Sequence, residues 1–311
     1  MSYVSGMASS IYDVIEEVDT LLQSVGWTRE ERKTSMWNGQ TRTSYCLWRG
    51  IGDGNDRIYL QARIPENQAQ KMFLDSMTGL DPYLEYFEQP GSIQQWNKSY
   101  GYTDSDVPVE VTQPMFTVTA DERFAYWFFA DSYRVIGICR MSIVYESFYM
   151  GFLNPIASER QYPYPMYVCG NGVSTQGAWP SNNNGSFVFP QNGQGMLRRA
   201  DGTWRIFNAS RPNPSPTSEG TLFPYNAHNL YLVPNYHSDD VVDQDNFLLI
   251  PIMLQTTNPT DVNGLLRDVY WISGTRDVAA EQILTYQNEQ YIVFDTKQDR
   301  LANSYFAVKM A

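Results

Sequence analysis

The chain predicts an α+β fold on three observations: one capped amphipathic helix near the N-terminus, antiparallel hairpins after it, and a second half of short strands. The helix is expected over residues 10–25, where Ile11, Val14, Ile15, Val18, Leu21, Leu22 and Val25 recur on one face. Ser10 with Asp13 has capping-box form, acids occupy the first turns, and Gly26 supplies a left-handed stop. Strand chemistry follows at 43–49 and 57–64, joined by the turn Gly50-Ile51-Gly52-Asp53-Gly54-Asn55-Asp56. Residues 67–76 suit a short helix. Residues 115–119, 124–130 and 133–139 suit strands, the last two joined by a tight Asp131-Ser132 turn.

Composition changes near residue 149. Between 149 and 197 the only charged residues are Glu159 and Arg160, amid Gly, Asn, Ser, Pro, Tyr and Trp. This segment is expected to be loops ordered by contact with other chains. Beyond it, 196–199 and 203–207 flank the hairpin signal Asp201-Gly202, and 211–218 form a Pro-rich connector. Further short strands are expected at 230–233, 247–254, 268–273, 283–286, 291–294 and 305–310. The expected division is an α+β domain over 1–148 and a β-rich, loop-rich domain over 149–311.

Charge excludes several function classes. The 311 residues carry a formal net charge of −12, with twelve bases against twenty acids in residues 1–150 and ten against fourteen in 151–311. Both halves disfavour a phosphate backbone or an anionic membrane. Eight Trp, 22 Tyr and 15 Phe exceed what one core requires, and 17 of the 22 bases are Arg, which together suggest large contact surfaces. Residues 1–10 lack a basic segment and an apolar run, so no secretory leader is expected, and no apolar stretch suits a membrane-spanning helix. Cys46, Cys139 and Cys169 are widely spaced and odd in number, which points to buried thiols in a reducing compartment.

Chemistry-bearing patterns are sparse. Only His228 and His237 could serve a histidine mechanism, and Gly172-Val173-Ser174-Thr175-Gln176-Gly177 misses the nucleophile-elbow spacing. The glycines at 50–54 lead into a strand, so they make a turn and no dinucleotide site. Four Asp (239, 240, 243 and 245) could hold Ca²⁺, and a solvated acidic loop explains them as well. The loop 179–189, with Asn182, Asn183 and Asn184 between aromatics, could stack a sugar or serve as an aromatic interface. The N-x-S sequons at Asn97, Asn184 and Asn208 carry little weight without a leader. Arg198, Arg199, Arg205 and Arg211 against Asp201 form a local basic field, read as meeting a neighbour's carboxylates in preference to nucleic acid. No catalytic residue, metal ligand or cofactor site is assigned.

Several phrases recur along the chain: the amphipathic helix into Gly26-Trp27, Trp48-Arg49-Gly50-Ile51-Gly52 with Ile58-Tyr59, Gln89-Pro90-Gly91 and Tyr126-Trp127-Phe128-Phe129-Ala130. They continue with Gly151-Phe152-Leu153-Asn154-Pro155, Tyr162-Pro163-Tyr164-Pro165, Asp201-Gly202-Thr203-Trp204 and Trp271-Ile272-Ser273-Gly274. In these the chain resembles virion structural proteins of tailed bacteriophages, and its first half resembles tail-terminator-like neck proteins. The resemblance implies a non-enzymatic subunit of a homo-oligomeric, hexameric ring at the neck or tail junction, assembled in the host cytoplasm. Its partners would be copies of itself and adjacent neck and tail proteins, with DNA passing unbound and no membrane involved. Collar, gateway and baseplate stations stay open, as does a glycan-binding host-recognition or capsid-decoration module. In a ring, the acids Asp13, Glu16, Glu17 and Asp19 would turn negative charge toward the channel.

Overall fold

The computed structural model describes residues 1–52, 57–66, 69–85, 88–93, 113–119, 122–156, 164–173, 186–188, 190, 195–199, 201–207, 221–223, 249–257, 260–273, 278–296 and 304–310. Within them lie one helix, α1 (Ile11–Ser24), and three antiparallel sheets, with strands numbered in chain order. The central sheet has seven strands in the order β1 (Ser2–Ala8), β7 (Phe124–Ala130), β8 (Arg134–Met141), β9 (Val144–Phe152), β10 (Met166–Cys169), β12 (Gly195–Arg198) and β13 (Trp204–Phe207). On one side is a six-stranded helix-side sheet: β11 (Gly172–Val173), β6 (Pro114–Thr117), β5 (Lys71–Met77), β4 (Ile58–Arg63), β3 (Gln40–Gly50) and β2 (Thr28–Trp37). On the other is an outer sheet of six: β14 (Thr221–Phe223), β15 (Leu249–Thr257), β16 (Thr260–Ser273), β19 (Ser304–Lys309), β18 (Glu289–Asp295) and β17 (Ile283–Tyr286).

The expected α+β class is therefore corrected to a mainly β architecture. The helix is real but stands alone, with strands on both sides of it in the chain. Ser10 caps it, its side chain accepting from Asp13 N, and Gly26 follows at φ +93°. Its apolar face packs into the core between the helix-side and central sheets. Of the expected helix at 67–76, residues 71–76 instead lie in β5. Met72 and Leu74 join the core and Phe73 and Met77 are buried as well, and burial of both faces leaves no periodicity to separate strand from helix.

Two cores flank the central sheet, which explains its unbroken apolar strands. On β7, Phe124, Tyr126, Phe128 and Ala130 enter the helix-side core, while Ala125, Trp127 and Phe129 enter the core under the outer sheet. The aromatic surplus is thus largely spent inward: Trp48, Trp204, Tyr149, Tyr167 and Phe148 are among the largest fully buried side chains. The same packing corrects the reading of residues 149–197 where they are described. Tyr149, Met150, Phe152, Leu153, Met166, Tyr167, Val168, Met196 and Leu197 are all buried within the chain itself. The central sheet draws strands from both sides of residue 148, and β9 runs across that position.

Candidate functional site

Several sequence candidates fall outside the described residues: His228, His237, the acidic stretch 239–245, Arg211, the strand at 230–233, and the sequons at Asn97, Asn184 and Asn208. Of the 179–189 loop, residues 186–188 are described. Phe187 is buried there, 5.8 Å from the ring of Tyr149 and 5.4 Å from that of Phe306, so it is core and not a stacking platform. Cys46, Cys139 and Cys169 are free and buried, as expected. Among the described residues no group of three His, Cys, Asp or Glu converges on a metal position.

The basic hairpin is divided by strand geometry. Arg198 lies opposite Trp204, and Arg205 opposite Leu197. Trp204 belongs to the helix-side core and Leu197 to the outer one, so the two arginines project from opposite faces of the sheet. Arg198 is buried, and both it and Arg205 have interactions within the chain. Asp201 accepts from Thr203 N and Oγ1. Burial pushes its carboxyl up, but those hydrogen bonds, aided by Arg199 and Arg205, hold it below the usual range.

The acids of α1 turn toward the chain's own β2–β3 hairpin. Arg42 of β3 donates to Asp13 and to Glu16, at 3.0 Å in the second case, and Glu16 also accepts from Thr43 N at 3.1 Å. Asp19 accepts from Arg29 at 2.5 Å and from the indole of Trp48 at 2.8 Å. Burial raises the Asp13 and Glu16 carboxyls, and the hydrogen bonds and charge of Arg42, together with hydrogen bonds from Ser9 to Asp13 and from Thr43 to Glu16, outweigh it, leaving both below the ordinary range. Three of the four helical acids are therefore paired inside the subunit, two of them sharing the single charge of Arg42.

A buried polar layer lies on the face of the helix-side sheet away from the helix. Tyr45 of β3 donates to Gln61 Oε1 at 3.1 Å, and Gln61 of β4 lies directly across from Asp75 of β5. Asp75 Oδ1 accepts from Ser76 N at 2.7 Å and from Ile93 N at 3.0 Å. Its Oδ2 and the Gln61 Nε2 have no hydrogen-bond partner among the described residues. Burial pushes the Asp75 carboxyl from 3.8 to about 7 against the pull of those two amides. Such a value suits proton transfer, but at zero exposure the group reaches no substrate, and its role is structural.

The surface offers a different kind of site. β2 is an edge strand of the helix-side sheet, and Thr28 to Thr34 are all exposed along it, carrying Arg29, Glu30, Glu31, Arg32 and Lys33. Two register irregularities interrupt its pairing with β3. Met36 near its tip is 68% exposed and Ile51 past the end of β3 is 71% exposed. Charges and bulges block open-ended strand addition, so this edge can meet a neighbour through side chains. The charge density hid the strand from hydrophobic patterning. Its available signal was Asn38-Gly39, at φ +47° and +75° between the paired Trp37 and Gln40, the residues of a two-residue hairpin turn. No protein-family model matches the chain, and no curated protein matches it.

Proposed function

We propose that the chain is a structural, non-enzymatic subunit of a tailed-phage virion, forming a homo-oligomeric ring at the neck or tail junction and touching adjacent neck and tail proteins. The observation that carries this reading is the β2 edge. Each copy brings both charge signs along seven consecutive exposed residues, a pattern suited to side-by-side contact between identical subunits. A net charge of −12 supports free passage of DNA, since few cations are available to release counterions.

Sedimentation and native mass spectrometry of the purified chain test the proposal. The expected result is a closed ring, hexameric by the resemblance, that binds duplex DNA weakly at all salt concentrations. Lys33→Glu, which removes only an exposed pair with Glu31, should weaken assembly while leaving the melting temperature nearly unchanged. A protein that stays monomeric at every concentration and inside the particle would overturn the reading.

A further inference from the structure

After β5 the chain makes a compact loop over residues 78–93, described except at 86 and 87. Thr78 N donates to the Pro90 carbonyl at 3.1 Å and closes its mouth. The side chain of Gln89, 4% exposed, fills the centre. It accepts from Asp81 N at 2.8 Å and donates to the carbonyls of Asp81 at 3.0 Å and Leu84 at 2.8 Å. Trp204 Nε1 of β13 donates to the Gly91 carbonyl at 2.9 Å and ties the loop to the central sheet.

What this framework displays is apolar. Of the ten large apolar side chains exposed among the described residues, Leu80, Tyr83 and Leu84 lie within five positions, and Tyr83 is 94% exposed. Scattered single residues would need no explanation, but three on one pinned loop do. Acids surround them: Asp81, Glu85 and Glu88 occur here, and no Lys or Arg lies between Lys71 and Lys98.

We propose that this loop is a docking knob, with Tyr83 as its anchor, for a second protein that presents an apolar pocket rimmed by Arg or Lys. The inference rests on the chain being one component of an assembly. Three physical reasons carry it. The loop is ordered in the free subunit by Gln89, so little entropy is lost on docking. Tyrosine supplies wide contact area at low entropic cost and is enriched among residues that dominate binding. The acidic rim selects a basic partner and repels phosphate and anionic lipid. A further copy of this chain is a poor occupant for an acidic knob, because it carries a net charge of −12 itself and offers no cluster of bases near this loop in sequence.

The test places a photo-crosslinking amino acid at position 83 of the full chain in particle-producing cells, alongside Tyr83→Ala, Glu85→Lys and a control, Ile143→Ser, at another exposed site. The expected result is a crosslink to one other protein, at a Lys- or Arg-rich site, that Glu85→Lys abolishes. Tyr83→Ala should weaken binding to that purified protein by about 30-fold or more, with melting and self-assembly unchanged and Ile143→Ser without effect. Crosslinks only to another copy, crosslinks indifferent to Glu85→Lys, or full binding by Tyr83→Ala would overturn the proposal. Absence of the chain from purified particles would defeat the virion reading instead, while the crosslink in the same cells would still decide this one.

Discussion

Asp75 shows how one buried side chain contributes to the pH response of the subunit. Its carboxyl titrates near 7 in the fold against 3.8 ordinarily, because burial penalises the charged form more than the amides of Ser76 and Ile93 favour it. The neighbouring Tyr45 and Gln61 supply no cation. A raised carboxyl contributes stability that is fully present below the ordinary value and is lost as pH rises through the folded one. Across 3.8 to about 7 that loss amounts to about 4 kcal/mol. Asp75→Asn keeps the carbonyl acceptor and removes the ionisation. The variant should therefore match or exceed the parent in stability at pH 8 and lose this part of the pH dependence, as thermal unfolding from pH 4 to 8 will show.

At the scale of elements, α1 and the β2–β3 hairpin form one unit through Arg42. That guanidinium bridges Asp13 and Glu16, lies 5.8 Å from the centre of the Tyr12 ring and 6.0 Å from that of Trp37, and leaves the helix's acids little else to meet. Both carboxyls are depressed, so their contribution is present at neutral pH and disappears as pH falls through their folded values. Arg42→Ala should lower the melting temperature at pH 7 and expose the hairpin to early proteolysis. Its difference from the parent should begin to shrink as pH falls through the ordinary values of 3.8 and 4.5 and close only below the depressed values of the parent. A deficit that persists unchanged at low pH would mean that Arg42 acts through packing alone.

For the whole molecule, three sheets are held face to face by a few close approaches. Arg134 of β8, fully buried, donates to Asp268 of β16 at 3.0 Å and links the central to the outer sheet. Gly170 is where the chain leaves β10 for β11, crossing from the central to the helix-side sheet. A Cβ added there would sit 2.1 Å from the carbonyl oxygen of Met115, a backbone atom that cannot swing aside. Gly170→Ala should therefore cost about 1–3 kcal/mol or more, read as a lower melting temperature, even though alanine is the smallest possible change. An unchanged melting temperature would show that the two sheets can separate at this point without penalty.

Local regularities in the sequence were enough to place α1, whose seam of Ile11 to Leu22 and caps at Ser10 and Gly26 need only neighbours within a few residues. The β3–β4 hairpin, β7 and β17 were readable in the same way, from apolar runs bounded by turn residues. Partners could not be read so. β1 lies beside β7, pairing Ser2 with Ala130 across more than a hundred positions, and its polar residues show no strand period. Nor could direction: many of the aromatics that suggested outward contact, Phe128, Tyr149 and Tyr167 among them, face inward because the central sheet is covered on both sides, while Tyr83 faces out. The helical acids look free in sequence and are bound by Arg42 and Arg29 in space. Periodicity records which side of its own element a residue takes, whereas what covers that side depends on non-local pairing, and only the packed sheets determine it.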